Sequence, residues 1–99
     1  MAEILDEHAL HEAMAEHPHW SVEDGSLQRS VQAPSFLDGI NLVVQAARVA
    51  EQRDHHPDID IRWTTVTFRC STHSAGGITG ADVELAAAID ELVDRQAPR

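Results

Sequence analysis

The fold turns on residues 54–73, DHHPDIDIRWTTVTFRCSTH. Its middle, Ile59 to Cys70, is rich in β-branched and aromatic residues and reads as one long strand. Alternation along it changes phase: Ile59, Ile61 and Trp63 share one parity, whereas Val66, Phe68 and Cys70 share the other. A bulge, or a strand whose two ends bury opposite faces, accounts for that switch. A histidine-bearing loop lies at each end. His55-His56-Pro57-Asp58 precedes the strand, and Pro57 biases His56 towards an extended backbone and stops the preceding helix. Thr72-His73-Ser74-Ala75-Gly76-Gly77 follows it. A straight strand holds the two loops roughly 35–40 Å apart at about 3.3 Å per residue. One subunit therefore joins them only through a sharp bend, and a neighbouring subunit is the other way to close the gap.

Working outward, Ser35 with Asp38 three positions on forms a capping-box pattern that opens a helix running to about Arg53. Phe36, Leu37, Ile40, Val43, Val44 and Ala47 form its apolar stripe. Leu42, Ala46 and Val49 make its other side apolar as well, which predicts a second face buried against another subunit in a homodimer or homotetramer. Beyond Gly76-Gly77, Thr79 and Asp82 repeat the capping-box pattern ahead of Leu85, Ala86, Ile89, Leu92 and Val93, so a last helix spans about Ala81–Asp94 and the tail Gln96–Arg99 frays. At the other end, Asp6 caps a helix that reaches Glu16 and carries Leu10, Ala13 and Met14 on one face. Two short strands follow, Trp20–Glu23 and Leu27–Gln32, joined at Asp24-Gly25, a tight-turn signal. The order α-β-β-α-β-α makes one domain over residues 1–99, an α+β two-layer sandwich with a small antiparallel sheet and helices on one face. Trp63 and Phe68 read as core residues, and Trp20 as core or pocket wall.

Composition narrows the function. A chain of 99 residues supports one hydrophobic core, and no apolar run approaches the roughly 20 residues that span a bilayer. The acidic, helical N-terminal segment lacks the pattern of a secretory signal, which points to the cytoplasm. Cys70 is the only cysteine, so an intrachain disulfide and a multi-thiolate zinc site are excluded, and it reads as a buried strand thiol. All seven cationic residues are Arg, and a formal charge of -10 repels nucleic acid and anionic membrane. Seven histidines are the unusual feature, because imidazole is the side chain suited to proton transfer near pH 7. His8, His11, His17 and His19 read as surface residues.

Glu51-x-x-Asp54-His55-His56-Pro57, then Trp63-x-x-Val66, then Thr72-His73-Ser74-x-Gly76-Gly77-Ile78-Thr79-x-x-Asp82, with Leu85-Ala86 and Ile89-Asp90 following, resembles the signature of the pterin-4a-carbinolamine dehydratase family. The strong part covers residues 48–91; Trp20, the hairpin and the long helix match more loosely. The resemblance implies loss of water from a 4a-hydroxytetrahydropterin to give a quinonoid dihydropterin, in the tetrahydrobiopterin recycling that serves pterin-dependent hydroxylases. It implies His55 and His73 as acid and base, in either order, and His56 as a holder of the pterin or the leaving oxygen. It also implies Pro57, Thr72, Ser74, Ala75 and Trp20 along the pterin, Glu51, Asp54 and Asp82 as orienting groups, and no metal or other cofactor. The sequence departs from the family's common pattern at Ile59, where many members carry an aromatic residue, and at Ala81, where many carry a basic one.

Each of these residues also has a structural reading. Adjacent histidines at a helix end suit the helix dipole, and Asp82 suits a cap. Zinc is disfavoured because neighbours on an extended backbone point apart. The competing function is a non-catalytic protein-interaction or assembly module of the same fold, which has no need to keep His55, His56 and His73 together.

Overall fold

The stretch read as one strand is a hairpin. In the computed structural model, which describes residues 3–96, the elements run α1 (Glu7–Glu16), β1 (Ser21–Glu23), β2 (Ser26–Gln32), α2 (Phe36–Arg53), β3 (Asp58–Arg62), β4 (Thr65–Cys70) and α3 (Gly80–Arg95). β3 and β4 pair antiparallel with Ile59 opposite Phe68 and Ile61 opposite Val66. Residues directly opposite one another share a face, and a two-residue loop gives them opposite parity in sequence. The phase change is thus the mark of the loop Trp63-Thr64, and neither a bulge nor a two-faced strand is needed. Trp63 takes a left-handed φ of +51° and stands 79% exposed at the tip, so it is not a core residue.

The α+β sandwich stands, with four strands where three were expected. All neighbours are antiparallel in the order β1-β2-β4-β3, and Leu27 faces Cys70 while Val31 faces Val66 across β2 and β4. Leu27, Val31, Val66, Phe68 and Cys70 form the inner face, with Ile59 and Ile61 partly buried beside them. Leu42 and Ala46 of α2 and Leu85, Ala86, Ile89 and Leu92 of α3 cover it, joined by Trp20 and Ile78. The outer face is polar: Ser30 and Thr67 hydroxyls meet at 2.8 Å, and Arg69 Nε donates to Gln28 Oε1 at 3.1 Å. Among the described residues no helix is long and apolar enough to cross a membrane.

The faces of α2 differ from the expectation. Gly39, Leu42, Ala46 and Ala50 are its buried residues, whereas Phe36, Leu37 and Val44 of the expected stripe are 53%, 66% and 43% exposed. Close approach explains the choice, because a Cβ at Gly39 would already lie 3.4 Å from Val66 Cγ2. The sheet takes the arc of Gly39, Leu42, Ala46 and Ala50, three of them small, and Phe36, Leu37 and Val44 are left outside. The caps match: Ser35 Oγ accepts from Asp38 N, and Thr79 with Asp82 closes a full capping box at α3. Of the tail expected to fray, Gln96 caps α3 and residues 97–99 lie outside the described residues.

Candidate active site

Both histidine loops sit at one end of the sheet because β3 and β4 are adjacent. Asp58, the first residue of β3, pairs with Arg69, next to the last residue of β4. The loop before β3 and the loop after β4 therefore start side by side within one subunit, and neither a bend nor a partner chain is required. At the first loop, Asp54 ends α2 in the left-handed region (φ +50°), a position that glycine usually fills. The backbone turns there, with His55 N bonding Ala50 O at 3.1 Å, and Pro57 carries it into β3.

The two neighbouring imidazoles then part. His55 points inward, and its Nε2 lies 2.5 Å from Asp82 Oδ1; its side chain is 17% exposed and that of Asp82 is 0% exposed. His56 points outward, with Nε2 at 2.5 Å from Glu51 Oε2, and the two side chains are 55% and 75% exposed.

Asp82 is the hub. Its Oδ2 accepts from Thr79 N at 2.9 Å and from the Thr72 hydroxyl at 2.8 Å. Since Thr72 gives its hydrogen to Asp82, Thr79 donates in the 2.8 Å contact between the two hydroxyls. Thr79, read from sequence only as a cap, is thus part of the buried network, and Asp82 both caps α3 and holds His55. With Oδ2 supplied by two donors, Oδ1 is the oxygen facing the imidazole, and His55 meets this carboxylate as an Nε2–H donor. Nδ1 has no hydrogen-bond partner of its own among the described residues.

The second loop is tied tightly around Thr72, whose N donates to Gly77 O at 2.8 Å and whose O accepts from Ala75 and Gly76 N at 3.0 and 2.9 Å. Gly76 supplies the left-handed φ of +80° that closes it. Ser74 and His73 are left exposed at its tip and Ala75 half-buried. His73 lines a cavity of about 330 Å³ together with Asp24, Gly25, Ser71, Thr72, Gly76 and Gly77. Asp24, read from sequence only as a turn former, is therefore beside the candidate site.

Trp20 is buried, and its Nε1 donates to Asp90 Oδ1 at 2.8 Å. Arg29 pairs with the same carboxylate oxygen, and His17, half-buried rather than at the surface, lies 3.9 Å from the other. Asp90 is two turns along α3 from Asp82, about 12 Å at 1.5 Å per residue. Among the described residues no hydrogen bond joins Trp20 to His55, His56 or His73, and Asp54 is exposed at the helix end. Behind the site, burial and the carboxylates of Asp82 and Asp58 push the Cys70 thiol up to about 12, so it stays protonated as a core residue.

The family model described as pterin 4 alpha carbinolamine dehydratase matches residues 3–92. A relative from Mycobacterium sp. (strain KMS) is 52% identical over 92 residues, covering 93% of this chain and 98% of its own. A relative from Nocardia farcinica is 51% identical over 90 residues, covering 91% and 95%. Both carry the name pterin-4-alpha-carbinolamine dehydratase. A crystal structure of a transcriptional coactivator/pterin dehydratase from Brucella melitensis superposes with a TM-score of 0.87 at 28% identity, covering 91% of this chain and 98% of that one.

Proposed function

The chain belongs to the pterin-4-alpha-carbinolamine dehydratase family, whose activity is that of a hydro-lyase, and from that premise we propose that His55, held by Asp82, is the base of the dehydration and His73 the acid. The observation that carries this reading is the buried His55–Asp82 pair at 2.5 Å. Elimination requires that the proton leave N5 while the C4a–O bond breaks. The N5–H electron pair becomes the N5=C4a π bond, and the departing oxygen takes a proton and leaves as water. No electrons are gained or lost overall.

His55 suits the base because Asp82 fixes its tautomer and stabilises the imidazolium that forms. His73, exposed and without a side-chain partner among the described residues, is free to deliver a proton to the 4a-hydroxyl. His56 and Glu51 act at the rim, holding the pterin or the leaving oxygen. Pro57, Thr72, Ser74 and Ala75 line the ring, and Asp54 shapes the loop. Trp20 acts at a distance by fixing α3 through Asp90. The setting proposed with this chemistry is tetrahydrobiopterin recycling in the cytoplasm.

The test is a stopped-flow assay of 4a-hydroxytetrahydropterin dehydration with wild type, His55→Ala and His73→Ala. Wild type accelerates the spontaneous reaction and each variant loses most of the acceleration. A wild type with no acceleration leaves the interaction-module reading in its place.

The exposed Phe36, Leu37 and Val44 support self-association through α2, as a homodimer or homotetramer. Light scattering at micromolar concentration reads more than one subunit, and Leu37→Glu lowers the mass. A monomeric wild type contradicts this.

A further inference from the structure

Resting on the dehydratase reading, we propose that Asp24 in the β1–β2 turn is the residue that orients the pterin, accepting hydrogen bonds from its 2-amino group and N3–H. Asp24 and His73 line one cavity of about 330 Å³, and among the described residues no other carboxylate lines it. Neither side chain has a hydrogen-bond or ion-pair partner among the described residues, in contrast to His55 and His56, which are both paired. The cavity thus presents an unengaged acceptor and an unengaged imidazole, and Thr72, which also lines it, joins it to the Asp82 that meets His55.

The turn holds the carboxylate in place. Asp24 and Gly25 both have left-handed backbones, φ +49° and +76°, the geometry of the two-residue hairpin loops in which Asp-Gly is favoured. The Ser26 hydroxyl donates to Glu23 O at 3.0 Å, which braces the loop from within. Register does the rest: Leu27 at the start of β2 pairs with Cys70 at the end of β4, so the turn and the His73 loop leave adjacent strands at the same end of the sheet.

The chemistry of the ring matches this wall. A 2-amino-4-oxo pterin carries a cyclic acylguanidine edge, with two parallel donors spaced to meet the two oxygens of one carboxylate. With that edge on Asp24, the C4a and N5 positions lie across the bicycle, towards the wall that carries His73. Backbone alone explains an Asp at this φ, but it explains Asn and Gly equally well, and these two residues are the probes.

The experiment measures affinity for a 7,8-dihydropterin and for its 2-deamino counterpart, with dehydration kinetics alongside. Wild type prefers the dihydropterin by roughly 10- to 100-fold, the range for paired hydrogen bonds to a charged group. Asp24→Asn and Asp24→Gly keep the turn, lose that preference to within about threefold, and raise KM with little change in kcat, as expected when uniform binding is removed. If both variants keep the preference while wild type is active, the inference falls and the dehydratase reading stands. If wild type binds neither ring and accelerates nothing, both fall together.

Discussion

His55 and His56 are neighbours in sequence, each 2.5 Å from a carboxylate through Nε2, yet they belong to different environments. Asp82, the carboxylate beside His55, is wholly buried and held by two further donors, whereas Glu51, the carboxylate beside His56, is 75% exposed on a helix end. Distance alone does not rank them. An exposed pair is screened by water and contributes little, while a buried, fully bonded carboxylate fixes an imidazole in one tautomer and one direction. The pair at the bottom of the site is therefore assigned the chemistry and the pair at its rim the holding.

The widest separation between the two comes from truncation. His55→Ala lowers kcat by about 10²–10⁴-fold, the usual span for a general acid or base, in stopped-flow dehydration. Next, Asp82→Asn keeps the capping acceptor for Thr79 N but turns an NH2 group towards His55, forcing the opposite tautomer. It costs roughly 10²-fold in kcat, with about 1–2 kcal/mol of stability lost in urea unfolding.

The buried carboxylate is also felt by Cys70, whose thiol is pushed up to about 12 by burial first and then by Asp82 and Asp58. The chain has no Tyr and no Lys, which leaves Cys70 as the side chain that titrates between pH 9 and 12. Above pH 9 the unfolded thiol ionises while the folded one stays protonated, so the folded state loses ground as pH rises. Unfolding free energy falls by up to about 1.4 kcal/mol per pH unit there, and Cys70→Ala flattens the slope. A smaller effect belongs to the rim. His56→Ala raises KM roughly threefold to tenfold and leaves kcat nearly intact. Smallest of all, Glu51→Gln shifts stability by roughly 0.5 kcal/mol or less. A His56→Ala loss as deep as that of His55→Ala would erase the distinction.

How much of this the sequence disclosed depends on which physical signal each residue carries. Caps were legible because Ser35, Thr79 and their acidic partners act within three residues. The β3–β4 hairpin was half legible. Its phase switch between Trp63 and Val66 was visible, but the turn lacks the Gly, Asn or Asp that announces a left-handed backbone, and Trp63 imitates a strand residue. The buried arc of α2 was misread because large side chains dominate a periodicity, whereas Gly39 and Ala46 win the contact by letting the helix approach the sheet. For the site, residue types were readable and pairings were not. That Asp82 reaches His55 rather than only its own helix start depends on contacts 27 positions apart, which no local spacing encodes.

A double-mutant cycle on the dehydration rate tests the central claim that Asp82 acts through His55. If it does, His55→Ala/Asp82→Asn is no slower than His55→Ala alone, because the carboxylate has no imidazole left to orient. Losses that multiply in the double variant, or an Asp82→Asn enzyme as fast as wild type, would contradict it.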